Sequence, residues 1–291
     1  MSSSTRNAAT KGDLCCYQVL FGVTDILQTR VIPVLLLMEK GLVKTVQFSN
    51  PAYIGDPINA VHIFNDKEVD ELIFLDITPM KRLNNPTVDQ SYDTPLDLVR
   101  RISEECSMPL AFGGGIRTVE DVRNILATGV EKVVINTSAI NNPDLIRTAS
   151  DTFGSQSVVV SMDVKRLNAH QFEVYSLGGS QKTGIDPVHH ARSVVHMGAG
   201  ELMVTGIDNE GMMSGYDLDL ISLVSKTINV PVIACGGAGT LQHFTEALGA
   251  GASAVAAGSM FVYHGRRRAV LISYPERSDI DHSLSHGAVP P

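Results

Sequence analysis

The sequence predicts a (β/α)8 barrel, and three observations support this fold class. Short apolar segments alternate eight times with helix-like segments over residues 30–273. The chain has 291 residues and 44% hydrophobic content, which is enough to bury one large core. Residues 109–138 align without a gap with residues 231–260, which indicates two duplicated half-barrels. A doubly wound open sheet is the alternative, but it explains neither the eightfold count nor the repeat.

Each predicted strand is a short apolar run followed by turn residues. The eight strands are expected to begin near Val31, Leu72, Pro109, Val133, Val158, Leu202, Pro231 and Ala254. Catalytic residues of such barrels lie at the opposite, carboxyl-terminal ends of the strands. The residues predicted at those ends are Leu36, Asp76, Gly115, Asn136, Asp163, Thr205, Gly237 and Gly258 with Ser259.

Each copy of the repeat has the form strand, glycine turn, helix, strand. Thr118 and Thr240 stand at predicted helix N-caps, and Gly129 and Gly251 at predicted helix ends. A glycine turn before a helix leaves N–H groups that suit an anion, so we expect two phosphate-binding sites, the first and second clasps. Tight turns alone would explain one glycine cluster but not two in register. The first clasp comprises Gly114, Gly115, Asn136 and Thr137, and the second comprises Gly236, Gly237, Gly258 and Ser259.

The two ends of the chain are expected to lie outside the barrel. Residues 1–29 make a poor signal peptide and are predicted to be a poorly ordered extension, and residues 274–291 a flexible tail. No apolar run approaches the length of a membrane span. The cysteines are Cys15, Cys16, Cys106 and Cys235. Because they show neither C-x-x-C spacing nor a secreted context, we expect reduced thiols and a cytoplasmic location.

Composition also bounds the binding partners. A net charge of -8 with only 5% aromatic residues argues against nucleic acid as a ligand. The 9 histidines form no H-E-x-x-H or similar ligand set, so no metal site is expected. No cofactor is expected either.

Six segments together resemble the cyclase subunit of imidazole-glycerol-phosphate synthase, and the resemblance extends over residues 30–261. They are FLDI at 74–77, GGGI at 113–116, INTSA at 135–139, VVVSMDVKR at 158–166, SGYD at 214–217 and CGGAG at 235–239. The resemblance implies a lyase with a half-barrel-duplicated (β/α)8 fold. Such an enzyme adds ammonia from a separate glutaminase to a bisphosphorylated ribulosyl formimino carboxamide nucleotide. Imidazole glycerol phosphate and an aminoimidazole carboxamide ribotide are released.

The implied reaction relies on aspartates at the ends of strands 1 and 5 as general acid and base. Asp163 fills the strand 5 position, whereas Leu36 stands where the strand 1 aspartate is expected. Leucine cannot carry a proton, and loss of a positioned acid or base typically costs ~10²- to 10⁴-fold in rate. This departure predicts that the reaction, the acceptor of ammonia, or both have changed.

Further pocket residues follow from the same resemblance. Lys44 lies in the predicted long loop after strand 1 and either closes over a phosphate or is a solvated charge. After strand 6 the family pattern D-x-D-G-T becomes residues 208–212, with Asp208, Glu210 and the phosphate-binding candidate Gly211. Asp76 and Thr205 are expected to line the pocket as strand ends. Asp56 is better interpreted as a helix cap ahead of a proline.

Four charged residues precede the apolar runs of strands 1, 2, 4 and 6. They are Arg30, Glu71, Lys132 and Glu201. Their positions match the family's salt-bridge gate, which implies ammonia entry from a HisH-like glutaminase docked at the amino-terminal face of the barrel. Ion pairs that merely close the barrel floor are the alternative.

Several functions fit these observations. The first hypothesis is a divergent synthase that passes ammonia to another acceptor, such as an amidino-sugar precursor of surface polysaccharide handled by a sugar-modifying amidotransferase. The second is the conventional cyclase of histidine biosynthesis, with its bisphosphorylated substrate and with Glu210 or Asp208 sharing the proton work with Asp163. The third is a non-catalytic barrel that activates a glutaminase and channels ammonia. A phosphoribosyl isomerase is the weakest, because it also requires the strand 1 aspartate and needs no gate.

Overall fold

A closed parallel barrel forms the body of the molecule. The computed structural model describes residues 29–78 and 95–286. The prediction for residues 1–28 lies outside these ranges. The eight barrel strands are Arg30–Met38 (β1), Leu72–Asp76 (β4), Leu110–Gly113 (β5), Lys132–Ile135 (β6), Val158–Asn168 (β7), Glu201–Gly206 (β10), Val232–Cys235 (β11) and Ala254–Ala257 (β12). Pairing of β7 with β10 and of β12 with β1 closes the sheet, which confirms the predicted (β/α)8 fold.

Two strands continue past the barrel into antiparallel hairpins. β1 is followed by Gly41–Val46 (β2) and Ser49–Gly55 (β3), and β7 by Gln171–Ser176 (β8) and Gln181–Lys182 (β9). A long loop was predicted after strand 1, but backbone pairing of β2 with both neighbours makes that segment a hairpin. A short ribbon of Tyr263–His264 (β13) and Ala269–Val270 (β14) follows the barrel.

Helices pack around the barrel, and local capping explains several of their boundaries. The Asp56 carboxylate accepts hydrogen bonds from the N–H groups of Ile58 and Asn59, as its predicted capping role requires. Thr118 forms a capping box with Asp121. The helices are Pro57–Asp66 (α1), Pro95–Glu105 (α2), Val119–Leu126 (α3), Thr137–Asn141 (α4), Asp144–Phe153 (α5), Pro187–His196 (α6), Leu218–Ser225 (α7), Leu241–Gly249 (α8), Ser259–Val262 (α9) and Arg277–His286 (α10), with a 3-10 turn at Ser155–Ser157.

The barrel strands divide the core into two layers, because alternate side chains point to opposite faces. The outer layer lies between sheet and helices and includes the fully buried Phe64, Phe74 and Phe244. The inner layer fills the barrel interior with Ile32, Val34, Ile73, Ala111, Val134, Val159, Met203, Ile233, Ala254 and Ala256. The side chains of the inner layer therefore lie between the two ends of the barrel.

The predicted flexible tail is wrong for the first part of its range. α10 packs on α8, with Ile280 0% exposed, and Tyr274 donates a hydrogen bond to the Val31 carbonyl. Arg277 forms an ion pair with Asp70, which also accepts a hydrogen bond from the Val31 N–H. The apolar residues of α10 are spaced too widely along the sequence for this helix to be recognised from the hydrophobic pattern alone. Residues 287–291 lie outside the described residues.

Within the described ranges, no helix is both long and apolar enough to cross a membrane.

Candidate active site

Four adjacent strands place polar side chains on the inner face at the carboxyl-terminal end of the barrel, which we call the mouth. They are Asn136 after β6, Asp163 on β7, Thr205 on β10 and Cys235 on β11. Backbone register sets Thr205 beside both Asp163 and Cys235. The Asn136 Nδ2 group donates a 2.9 Å hydrogen bond to the Asp163 carboxylate. These residues form one continuous polar arc.

Asp163 is a buried carboxyl group with an unusual proton affinity. Burial is the main cause that raises its pKa to about 7, and the negative charge of Glu210 adds to this effect. The hydrogen bond from Asn136 acts in the opposite direction but does not outweigh burial. An acid with this pKa can both donate and accept a proton near neutrality.

The other side of the mouth is apolar. Leu36 on β1 and Leu75 on β4 are register partners, and Leu36 is 9% exposed. The inward alternation of Ile32 and Val34 continues to Leu36, so the leucine occupies a mouth position and not an outer-layer position. Asp163 therefore faces a hydrophobic wall across the mouth.

Lys44 is neither a solvated charge nor part of an open loop, which corrects one of its two predicted roles. It lies on β2, is 7% exposed, and its Nζ atom is 2.5 Å from Glu210 Oε1. A Cβ atom added at Gly258 would lie 3.1 Å from the same Nζ atom. The amine is thus held between the loop after β10 and the second clasp.

Glu210 fastens the first hairpin to the loop after β10. Its second carboxylate oxygen accepts 3.1 Å hydrogen bonds from the Thr45 hydroxyl and the Phe48 N–H. Gln47 adds two more bonds, from its N–H to the Glu210 carbonyl and from its amide to the Asp208 carbonyl. Gly211 allows this close packing, because a Cβ there would lie 2.5 Å from the Thr45 carbonyl oxygen. The hairpin is therefore tied to the loop after β10.

The predicted clasps share a backbone geometry at equivalent positions of the repeat. Gly114 and Gly236 have φ values of 118° and 86°, which favour glycine. Gly115 and Gly237 follow them with φ values of 68° and 115°. A side chain at Gly237 would meet the Gly215 carbonyl oxygen at 2.1 Å, so this glycine is also needed for close approach.

The clasps differ in their hydroxyl groups. In the first, the Thr137 hydroxyl accepts a 3.0 Å hydrogen bond from the Leu177 N–H of the β8–β9 turn. In the second, the Ser259 hydroxyl is buried and has no hydrogen-bond partner among the described residues. An orphaned buried hydroxyl normally has a water or ligand as its partner. The second clasp is therefore the better prepared of the two for an anion.

Two of the predicted pocket acids accept hydrogen bonds from backbone N–H groups. Asp76 ends β4, beside Gly114 of the first clasp, and accepts a 2.8 Å hydrogen bond from the Thr78 N–H. Burial raises the pKa of Asp76, although its bonds with Thr78 oppose the shift. Asp208 accepts a 2.9 Å bond from the Arg166 N–H. Its carboxylate is therefore already engaged in holding β7.

Cys235 was not predicted as a site residue. Burial raises the pKa of its thiol to about 11, so the thiol is protonated near neutrality. A hydrogen bond with Thr205 and the charge of Lys44 lower the pKa, and Glu210 and Asp163 raise it again. These couplings place the thiol within the polar arc. The alternation of the β11 run, with Ile233 inward, is the sequence signal that points to it.

The four predicted ring residues meet at the opposite end of the barrel. Arg30 is 2.5 Å from Glu71 and 2.7 Å from Glu201, and Lys132 is 3.0 Å and 2.8 Å from the same two acids. Charges alternate around a closed ring. Burial alone would raise the pKa of Glu201, but hydrogen bonds and charge from Arg30 and Lys132 lower it. Glu71 is only 1% exposed, so its carboxylate is held in the ring away from solvent.

No group of three or more metal-binding side chains converges in the described part of the chain. The mouth instead offers a titrating acid, hydrogen-bonding groups and an orphaned hydroxyl. These features, on a (β/α)8 barrel, are those of an enzyme that moves protons.

The comparisons with known proteins define the class: this is an enzyme of the cyclase/lyase type. Residues 30–267 match the family described as histidine biosynthesis protein. A Pseudomonas aeruginosa protein provisionally named imidazole glycerol phosphate synthase subunit hisF2 is 46% identical over 253 residues, covering 87% of this chain and 98% of its own length. A provisionally named HisF subunit of Leptospira borgpetersenii is 44% identical, with 87% and 97% covered. The imidazole glycerol phosphate synthase subunit HisF of Endomicrobium trichonymphae is 44% identical, with 80% and 87% covered.

The chain therefore belongs to the histidine biosynthesis protein family, as a HisF-like member.

Proposed function

We propose that this protein is the synthase subunit of a cytoplasmic glutamine amidotransferase system that delivers ammonia to an acceptor other than the histidine-pathway nucleotide. The proposed acceptor of ammonia is an amide-bearing sugar that becomes an amidino sugar for surface polysaccharide. A sugar-modifying amidotransferase would present it. A HisH-like glutaminase would dock at the ring end of the barrel.

One observation carries the proposal: Leu36 pairs with Leu75 at the mouth, opposite Asp163. The family reaction, as implied by the resemblance, needs an acid on each side of the substrate. With one side apolar, the ring closure that releases imidazole glycerol phosphate lacks a proton donor or acceptor. Glu210 is a poor substitute, since its two oxygens already accept bonds from Lys44, Thr45 and Phe48.

Asp163 has a direct role in this proposal. Ammonia that attacks an amide carbon forms the new C–N bond and loses two protons in all, and the C–O bond breaks as the oxygen leaves as water with those two protons. A carboxyl group with a pKa of about 7 can carry these protons one after the other from the nitrogen to the leaving oxygen. Asn136 orients the carboxylate, and the second clasp would bind a phosphate on the acceptor through Ser259 and Gly237.

The test uses the purified full-length chain with its glutaminase and the histidine-pathway nucleotide. We expect cyclase turnover ~10²-fold or more below that of an ordinary HisF, and a gain of ~10-fold or more on Leu36→Asp, since the missing acid is restored. A Leu36→Asn variant is the matched control, because it is polar but cannot titrate. Ordinary turnover by the wild-type protein would refute the altered acceptor.

A conventional cyclase is the second candidate, favoured by the names of relatives such as that of Endomicrobium trichonymphae. Growth of a histidine auxotroph that lacks its own HisF distinguishes the two. Rescue by the wild-type chain supports the conventional cyclase. Rescue by Leu36→Asp alone supports an altered acceptor.

A further inference from the structure

The barrel interior contains one polar side chain between the charged ring and the mouth. All eight barrel strands lie in the described ranges, and the inward positions at these levels carry apolar groups except for Ser161 on β7. The outward neighbours Val160 and Met162 belong to the outer layer, so Ser161 points inward with Val159 and Asp163. Its register partner, Met203, also belongs to the inner layer.

The Ser161 hydroxyl lacks a hydrogen-bond partner in the described part of the chain. Ser161 is 6% exposed, and its hydroxyl makes no hydrogen bond with the described residues. Because the side chain is on the inner face, its remaining exposure is towards the barrel interior. A hydroxyl that has no such partner normally binds water or a ligand.

Along β7, Ser161 lies midway between the level of the charged ring and the level of Asp163. Glu201 of the ring is in register with Val159, two residues below Ser161, and Asp163 is two residues above it. At a rise of about 3.3 Å per residue, the hydroxyl is about 7 Å along the strand from each level. A small molecule that travels from ring to mouth would otherwise cross about 13 Å of apolar wall.

We propose that the Ser161 hydroxyl is an ammonia-binding site inside the barrel, halfway between the charged ring and Asp163. The inference rests on the proposed function, which requires ammonia to pass from the ring end to the mouth. Neutral ammonia both donates and accepts hydrogen bonds, and one such bond offsets its loss of water in an apolar space. Ammonium is excluded by the same surroundings, because an unpaired charge there is far more costly.

The first experiment measures the rate at which the proposed amide-bearing sugar is aminated by the full chain in complex with its glutaminase. The rate is measured once with glutamine and once with added ammonium chloride. Ammonium salts supply ammonia directly at the mouth. We expect Ser161→Ala to lower the glutamine-driven rate by about three- to tenfold and to leave the ammonium-driven rate unchanged. Ser161→Thr, which keeps the hydroxyl, should retain most of the glutamine-driven rate.

Ser176→Ala is the matched control, because it removes a buried hydroxyl that is 3% exposed and lies on β8, outside the interior. It should alter neither rate. An unchanged ratio of the two rates in Ser161→Ala would overturn the inference.

A second experiment needs no acceptor. Crystals are soaked in hydroxylamine, a neutral two-atom analogue of ammonia whose density is distinguishable from water. Density within hydrogen-bonding distance of the Ser161 hydroxyl in the wild type and in Ser176→Ala, and its loss in Ser161→Ala, supports the site. No density there in the wild type counts against the site. Hydroxylamine density at Ser161 in a protein that shows no glutamine-driven amination would support the binding site and contradict the proposed function.

Discussion

Asp163 shows how the burial of a single residue sets its chemistry. Its carboxyl group lies at the mouth, with Asn136 as hydrogen-bond donor and the charge of Glu210 nearby. Loss of hydration favours the protonated form, and one hydrogen bond does not reverse this. The same aspartate in an open loop would be ionised at neutral pH and would have no proton to donate.

The Asp163 pKa makes stability depend on pH. The unfolded carboxyl has a pKa of 3.8 and the folded one of about 7, so the folded state binds the proton more tightly. Stability from this group is fully present below the unfolded pKa and is lost as pH rises through the folded pKa. We expect Asp163→Asn to be more stable than wild type above about pH 7, and this advantage to disappear in acid. Thermal unfolding across the pH range measures it, and an advantage independent of pH would contradict the assignment.

At the scale of an element, the β2–β3 hairpin depends on a buried ion pair. Lys44 and Glu210 side chains are each 7% exposed, and the acid also holds Thr45 and Phe48. Removal of one partner leaves a buried charge unpaired, which is far more destabilising than removal of both. The pair therefore helps to hold the hairpin against the loop after β10.

Glu210→Gln should lower the free energy of unfolding by about 3 kcal/mol, since Lys44 then remains charged and buried. Hydrogen exchange should increase in residues 41–55 more than in the barrel strands. A Lys44→Met, Glu210→Gln double variant is the control and should recover part of the loss. Equal stability of the single variant and the wild type would show that the pair does not hold the hairpin.

At the scale of the whole molecule, α10 completes the outer layer of helices beside α8. Tyr274 and Asp70 bind opposite sides of the Val31 backbone, while Ile280 fills a site against the outer layer. Near the same end lie the ion pairs of the four-charge ring. The base of the barrel is thus fastened by the segment that was expected to be a flexible tail.

Ile280→Ala should cost about 2–4 kcal/mol of unfolding free energy, because the side chain is 0% exposed and its removal leaves a cavity. Ser285→Ala, on the exposed face of α10, is the control. Chemical denaturation of both variants measures the difference. Wild-type stability of the Ile280 variant would mean that α10 contributes little to the fold.

Much of the fold was predictable because its signals are local. All eight strands begin within one residue of the predicted positions, from Arg30 to Ala254. The caps at Asp56 and Thr118 and the glycine turns of the repeat were predictable for the same reason. Hydrophobic period, turn chemistry and capping each depend on neighbours along the chain.

The sequence by itself determined the barrel, its internal duplication, the four-charge ring and the replacement of an acid by Leu36. Only the tertiary structure decided that Lys44 is buried against Glu210, 166 residues away. It also decided that the Thr137 hydroxyl is hydrogen-bonded, whereas the Ser259 hydroxyl has no partner among the described residues. It also revealed Cys235 and Ser161 as inward residues of the interior. The physical reason is that burial, proton affinity and ion pairing arise from residues distant in sequence, which meet only once the strand register closes the barrel.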